Sequence, residues 1–175
     1  EAEPGGRLPI TFPKRLADSP TADPARYPGV NGKAHYSEGI FVGYRHYDKQ
    51  RIAPLFPFGH GLGYTRFQLS SLNVSHGQLR FVVTNIGPRM GTAVPQVYVG
   101  PIANSPVPLE EKKLVAFTRV TLKPGESRVL NLTIPDEALA YWSPIEKKWI
   151  VPEEPRPVYV GFSSRDSQLS ASMDG

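Results

Sequence analysis

The 175-residue chain has the length of one domain of about 150 residues with a modest surplus. Its hydrophobic share of 39%, with 8 Tyr, 8 Phe and 2 Trp, is enough for a core, which excludes a wholly disordered chain. The net charge of +4 is spread along the chain in single basic residues or short pairs, so nucleic-acid binding is not expected. Cysteine is absent, and no apolar run suits a membrane span, so neither disulfides nor a membrane partner is expected.

Residues 1–64, here called the arm, contain 8 Pro and 9 Gly, which is typical of a segment without its own core. The arm nevertheless holds 9 of the 18 aromatic residues of the chain. Each aromatic ring left in water would forgo about 1.5–3 kcal/mol of burial. The arm is therefore predicted to be irregular and to lie against a larger body.

Residues 54–67, here called the connector, join the arm to the rest of the chain. They combine two prolines, several aromatic residues and glycines at every second position from Gly59 to Gly63. Proline fixes φ and glycine accepts positive φ, so this stretch predicts a bent, tightly packed seam and not a catalytic loop. Residues 52–64 are expected to fold back on the following domain, because a short tether costs little loop entropy.

From Phe67 onward the apolar residues alternate with polar ones, as half-buried strands require. Turns are predicted at 123–126, where Pro and Gly suit a type II turn, and at 75–77. Pro95 would remove a ladder hydrogen bond, so its strand is predicted at an edge or with a bulge. A short helical turn is predicted at 136–142. Eight strands are predicted, at residues 67–74, 78–84, 92–100, 113–122, 127–134, 148–151, 156–162 and 168–173.

Three stretches in the same order resemble glycoside hydrolase family 3, the β-glucosidase and β-xylosidase family. They are Gly6–Pro13 (GRLPITFP), Tyr36–Asp48 (YSEGIFVGYRHYD) and Pro57–Thr65 (PFGHGLGYT). The resemblance implies that residues 1–64 are the C-terminal tail of the second catalytic domain, an α/β domain, plus a linker. It implies that residues 65–175 form a fibronectin type III-like, immunoglobulin-like β-sandwich, a class of about 100 residues. The predicted fold class is therefore all-β with an irregular arm.

Retaining glycoside hydrolysis requires two carboxyl groups about 5–5.5 Å apart. Glu38 and Asp48 are the only acids in an aromatic and glycine-rich setting, and a structural role is favoured for both. The resemblance also argues against them, because the family's nucleophilic Asp lies in an N-terminal barrel and its acid/base Glu lies earlier in the second domain. Neither motif occurs in this sequence. No catalytic residue is predicted, and the isolated chain is expected to be inactive.

The four histidines do not form a metal-ligand pattern. His35, His46, His60 and His76 are too far apart in the sequence for either H-x-x-x-H or H-E-x-x-H spacing, so no metal site is predicted. His60 is expected to hydrogen-bond the backbone of the connector. The glycines around it lack the strand, helix and Lys of a phosphate loop, so no nucleotide and no other cofactor is expected.

Four aromatic residues of the second half have two alternative interpretations. Trp142, Trp149, Tyr141 and Tyr159 flank apolar strand residues, which favours packing in the core. The same flat rings are typical of platforms that bind carbohydrate. The favoured prediction is core packing, with a carbohydrate platform as the alternative.

The favoured functional hypothesis is a structural portion that braces the catalytic domains of an enzyme resembling a retaining β-glucosidase. Its partners would be the remaining catalytic domains, in the same chain or in a complementary fragment, and the carbohydrate substrate of the whole enzyme. Loop 104–111 is the candidate for approaching the active-site mouth. The alternatives are a free-standing carbohydrate- or surface-binding module and one chain of a split enzyme. The compartment is undetermined, with a secreted or periplasmic location favoured over a cytoplasmic one.

Overall fold

Strands dominate the chain after the connector. The computed structural model describes residues 3–174, and within them two α-helices, one 3-10 helix and eleven strands. Neither α-helix in this range has the length or the apolar character to cross a membrane. The elements in chain order are the 3-10 helix Leu16–Asp18, α1 (Tyr44–Lys49), β1 (Phe67–Ser75), β2 (Gln78–Asn85), β3 (Gly91–Ala93), β4 (Gln96–Val99), β5 (Lys113–Phe117), β6 (Val120–Leu122), β7 (Ser127–Thr133), α2 (Asp136–Leu139), β8 (Tyr141–Ser143), β9 (Lys148–Ile150), β10 (Arg156–Ser163) and β11 (Asp166–Met173).

Two antiparallel sheets face each other across one core. One sheet has the order β1-β2-β7 and the other the order β11-β10-β4-β5. Alternate residues of β2, among them Leu79 and Phe81, point inward and are fully buried. They join Val97 of β4 and Val158 of β10 in one apolar cluster. The predicted all-β, fibronectin type III-like sandwich is confirmed.

The predicted strand 92–100 is divided by Pro95 into two strands that belong to different sheets. β3 pairs only with β6, whereas β4 lies between β10 and β5 and its register with β5 shifts between Val97 and Tyr98. The half before Pro95 is therefore at an edge, and the half after it is a central strand beside a bulge. The partner strand 113–122 is divided at the same level into β5 and β6. Proline has no N–H to donate to a neighbouring strand. Pro95 lies between the two sheets, where the chain makes no ladder hydrogen bond, so the missing donor is tolerated. The carbonyl of Pro95 accepts a hydrogen bond from the Thr118 N–H at 3.2 Å.

Two other differences involve short elements. The predicted strand at 148–151 is β9, and it pairs with β8, which the sequence analysis assigned to a helical turn reaching residue 142. The helix there ends at Leu139. α1 was not predicted at all, because six residues are too few to display a period of 3.6.

The predicted turns follow the expected backbone geometry. In the 123–126 turn Gly125 has φ of 75°, and the Glu126 N–H donates to the Lys123 carbonyl at 3.0 Å, as in a type II turn. His76 and Gly77 both have positive φ between β1 and β2, which is the conformation of a two-residue hairpin loop. Both predictions are confirmed.

The connector lies against the end of the four-stranded sheet, as predicted. The Ser164 N–H, just after β10, donates to the Phe58 carbonyl at 2.9 Å. The Tyr44 ring of α1 stacks on Phe58, with 5.1 Å between centroids. The Tyr44 hydroxyl also accepts a hydrogen bond of 2.9 Å from the Leu114 N–H on β5. The last third of the arm is thus fixed to the sandwich through side chains and backbone.

The first residues of the arm pair with the connector and not with the sandwich. The Leu8 N–H donates to the His60 carbonyl at 2.8 Å, and the Gly59 N–H returns a bond of 2.8 Å to the Leu8 carbonyl. Phe12 forms an isolated bridge with Phe56. The connector is therefore held from both sides.

Candidate functional site

The two acids singled out by the sequence have different ion-pair partners. Asp48, in α1, forms an ion pair with Arg165, which follows β10; the distance from Oδ1 of Asp48 to the guanidinium nitrogen is 2.8 Å. Arg165 also donates to the Ile52 carbonyl at 3.1 Å. Glu38 lies 3.7 Å from Arg26 within the arm. Asp48 therefore links the arm to the sandwich, which is the structural role favoured from the sequence.

Burial raises the pKa of Asp48, and the charges of Arg165 and Lys112 only partly offset this effect. A carboxyl whose pKa is higher in the folded state binds its proton more readily there. Its contribution to the free energy of unfolding consequently falls as pH rises from the ordinary Asp value of about 4 through the raised pKa. Glu111 raises the pKa of Asp48 further.

In the original chain the raised pKa of Asp48 makes the free energy of unfolding fall between pH 4 and pH 7. We expect this fall to be smaller in Asp48→Asn, which has no carboxyl group to titrate. Urea unfolding at several pH values in this window measures the slope for both proteins. Glu153→Gln, at an exposed position outside the strands, is the matched control and should keep the original slope. An unchanged slope in Asp48→Asn would show that the raised pKa does not contribute to folding.

The histidines occupy separate environments. His46 is buried in α1, where burial lowers its pKa. The His60 ring stacks on Phe56 at 5.1 Å, while its carbonyl accepts the bond from Leu8. Within residues 3–174, no group of three His, Asp or Glu side chains is placed to hold a metal ion.

The arm exposes many large apolar side chains, which together are here called its apolar face. Tyr36, Leu16 and Leu62 are 88%, 84% and 74% exposed. An apolar depression of about 540 Å³ lies beside Leu62, between the first residues of the arm and the connector. Soluble monomers rarely leave so many large apolar groups in water, so this face is typical of a surface that another protein body covers.

A second concave feature, here called the aromatic groove, lies between the arm, loop 104–111 with the start of β5, and the β8–β9 hairpin. Its volume is about 740 Å³. Trp142 and Trp149 line it and are 47% and 66% exposed, so the prediction that they pack in the core is wrong. The two residues lie on a hairpin that pairs only with itself, so alternation there does not indicate a buried face. Tyr141, by contrast, is half-buried.

Tyr159 lies outside the groove, on β10, and is half-buried. The ammonium group of Lys112 lies over its ring, 5.1 Å from the centroid. The same ammonium group donates to the Ser164 carbonyl at 3.3 Å. Tyr159 is therefore part of the packing of the sandwich.

The groove brings Glu38, which the sequence singled out, together with three charged residues that it did not, Arg45, Glu110 and Lys113. The Nε atom of Arg45, in α1, lies 3.3 Å from Oε1 of Glu110, in loop 104–111. Glu38 and Lys113 line the same groove. Glu38 Oε2 and Arg45 Nε are buried and lack hydrogen-bond partners among the described residues. Loop 104–111 contributes the second wall, and its length and proline content were the only signal in the sequence.

Residues 93–164 match the family of fibronectin type III-like domains. Over 99% of its length the chain is 38% identical to thermostable beta-glucosidase B of Acetivibrio thermocellus, of which the match covers 24%. It is 43% identical, also over 99%, to a beta-glucosidase of Rhizobium radiobacter, of which the match covers 22%.

Solved structures give the same result. DesR, a beta-glucosidase from Streptomyces venezuelae, matches 98% of this chain with a TM-score of 0.89 and 37% identity, over 23% of its own length. The GH3 beta-glucosidase of Bifidobacterium adolescentis matches 99% of the chain with a TM-score of 0.91 and 35% identity, over 26% of its own length. Over nearly its whole length the chain is therefore similar to about a quarter of each of these β-glucosidases, in agreement with the family resemblance of its three sequence motifs.

The chain spans about a quarter of the length of the curated relatives it matches, 24% and 22% for the two named. The fibronectin type III-like match begins at Ala93 and includes β4 through β10. The arm lies outside that match but inside the similarity to the β-glucosidases, which extends over 99% of the chain. Arm and sandwich are therefore matched together as one region.

Proposed function

We propose that this chain is the non-catalytic C-terminal portion of a retaining β-glucosidase-like hydrolase and that it braces the catalytic domains. The observation that carries the proposal is the match of 99% of the chain to only 24% of a β-glucosidase. The activity of the whole protein, hydrolysis of terminal β-linked sugars, would then depend on domains other than those described. Its partners would be those catalytic domains and a carbohydrate substrate.

In this proposal residues 1–64 are the tail of the second catalytic domain plus a linker, and residues 65–175 are the fibronectin type III-like domain. The exposed apolar face of the arm supports this division, because a catalytic domain would cover it. The backbone bonds that hold Leu8 and Phe12 to the connector support a fixed orientation between that domain and the sandwich.

The ion-pair partners of Glu38 and Asp48 support a non-catalytic role. Retaining hydrolysis needs one ionised and one protonated carboxyl group facing the same bond. Asp48 is held by Arg165 on the sandwich side, and Glu38 faces Arg26 within the arm. Each carboxylate is therefore paired with a different cation, which supports a structural role for both.

We expect the isolated chain to show no turnover of an aryl β-glucoside, and co-expression with the segment encoded upstream to give an active complex. Leu62→Asp should weaken that complex at least tenfold, because it places a charge in the apolar face of the arm. Phe117→Asp is the matched control, since Phe117 is equally apolar and 66% exposed but lies on β5. The dissociation constant is measured by sedimentation or calorimetry.

Two results would contradict the proposal. Turnover by the isolated chain that is lost in Glu38→Gln would place catalysis within these residues. Equal weakening of the complex by Leu62→Asp and Phe117→Asp would show that the arm face is not the contact surface.

A further inference from the structure

We propose that the aromatic groove is a binding site for a neutral saccharide of a few sugar units. This inference goes beyond the bracing role, because it assigns a ligand to the chain itself. The groove has a volume of about 740 Å³, within the range of about 300–1,000 Å³ that is usual for small-molecule sites. Its walls combine exposed indole rings with buried charged groups, and each wall matches a different part of a sugar.

The indole wall is built by the register of the β8–β9 hairpin. Trp142 and Trp149 are directly opposite each other across the two strands, so both side chains lie on one side of the hairpin. Their rings are 5.7 Å apart and inclined at 70°, which gives a shallow corner with two apolar surfaces. A pyranose ring has an apolar C–H face, and a flat indole ring can cover that face while the hydroxyl groups at the rim remain in contact with water.

The polar wall is formed by Glu38, Arg45 and Glu110. Arg45 Nε lies 3.3 Å from Glu110 Oε1, and Glu38 Oε2 lies 3.7 Å from Arg26 Nε, so both atoms are in ion-pair contacts. Neither contact has the geometry of a hydrogen bond, so each of these buried atoms still gains from a well-aligned hydrogen bond to a ligand. A sugar hydroxyl both donates and accepts hydrogen bonds, so one class of group satisfies the carboxylate and the guanidinium.

The charges of the groove favour a neutral ligand. Two carboxylates, Glu38 and Glu110, are balanced by two cations, Arg45 and Lys113. A negatively charged ligand would be attracted by the two cations but repelled by the two carboxylates. A positively charged ligand would meet the opposite balance, so neither gains from the charges of the groove. A polyhydroxylated neutral molecule gains hydrogen bonds without this electrostatic penalty.

The groove requires the arm to be docked, because Glu38 and Arg45 come from the arm while the indole rings and Glu110 come from the sandwich domain. A ligand that contacts both sides binds only the docked form and therefore stabilises it. The competing occupant of this surface is another domain of the same protein, covering the two Trp rings. The experiment below separates the two cases.

The chain contains two tryptophans, and both line the groove, so intrinsic fluorescence reports directly on this site. We expect titration of the 175-residue chain with cellobiose, laminaribiose or xylobiose to give a saturable change, with a dissociation constant on the order of 1 mM. Calorimetry measures the same affinity independently of the probe. Sorbitol, which has hydroxyl groups but no pyranose ring, serves as the ligand control and should give no saturable change.

Trp149→Ala should weaken saccharide binding at least tenfold, and Glu38→Gln should weaken it without lowering the melting temperature. Phe117→Ala is the matched control, because its ring is exposed on β5 outside the groove. Circular dichroism verifies that each variant is folded. Binding that weakens only in the groove variants supports the proposal.

Three outcomes would overturn it. The first is no saturable signal with any neutral saccharide at 50 times the expected dissociation constant. The second is unchanged binding by Trp149→Ala. The third is protection of both indole rings from acrylamide quenching when the upstream segment associates, which would assign the groove to a domain contact. The Leu62→Asp experiment reports on bracing separately, so failure of one proposal is distinguishable from failure of the other.

Discussion

Gly161→Ala is expected to unfold the β10–β11 hairpin and to lower the free energy of unfolding by more than about 4 kcal/mol. A Cβ atom at residue 161 would lie 1.5 Å from the backbone oxygen of Asp166. Both atoms belong to paired strands, and the register shifts on both sides of Gly161 bring the two backbones together. Since β10 is a central strand and its valines are in the core, the strand cannot move away without opening the sandwich.

Urea unfolding followed by circular dichroism measures this effect. Gly6→Ala is the control for the chemical change, because a Cβ atom there has open space and the backbone is not in the left-handed region. The control should alter the unfolding free energy by no more than about 0.5 kcal/mol. A Gly161→Ala protein with the stability of the original chain would mean that the close approach of β10 and β11 is not required.

Gly59→Ala is expected to detach the connector from the sandwich while leaving the sandwich folded. Gly59 has φ of 83°, and a Cβ atom there would lie 2.3 Å from the Gln96 side-chain oxygen. Gln96 is buried and cannot move aside, because its amide group donates to the Phe162 carbonyl at 2.9 Å and its oxygen accepts from the Tyr98 hydroxyl at 2.5 Å. Backbone strain and overpacking together should cost about 2–4 kcal/mol.

Hydrogen exchange distinguishes local detachment from global unfolding. The Ser164 amide donates from the sandwich to the connector and should lose protection, whereas amides of β2 should keep it. Gly125→Ala separates the two causes, since Gly125 has φ of 75° but open space around a Cβ atom. It should cost about 1–2 kcal/mol, from backbone strain alone. Equal effects of the two substitutions would show that contact with Gln96 is unimportant.

The sandwich could be predicted from the sequence because its signals are local. The alternation around Phe81 and the Pro124–Gly125 turn each depend on neighbouring residues. The division of two strands at Pro95 was not predicted, since it depends on which sheet each half joins. Pairing with strands that are distant in the sequence determines which sheet each half joins. Pro95 alone indicates only that one ladder hydrogen bond is missing.

The aromatic groove illustrates what local patterns leave out. Trp142 and Trp149 were predicted to lie in the core because they flank apolar strand residues, but their hairpin pairs with no other strand. Arg45 and Glu110 are 65 positions apart in the sequence, and no spacing rule relates them. Arg45 lies in a family-like motif, and Glu110 lies in a loop noted for its length. Their meeting required the arm to dock.

The hydrogen bond from the Leu114 N–H to the Tyr44 hydroxyl has a consequence for how the molecule avoids aggregation. β5 is the edge strand of its sheet and carries the apolar sequence Lys113–Phe117. An open edge of this kind can add a strand from another molecule. The Tyr44 hydroxyl accepts the bond from one backbone N–H that such a strand would need, so the arm blocks the addition of a strand at this edge. A chain beginning at residue 65 is therefore expected to fold but to form edge-to-edge oligomers that the arm normally prevents.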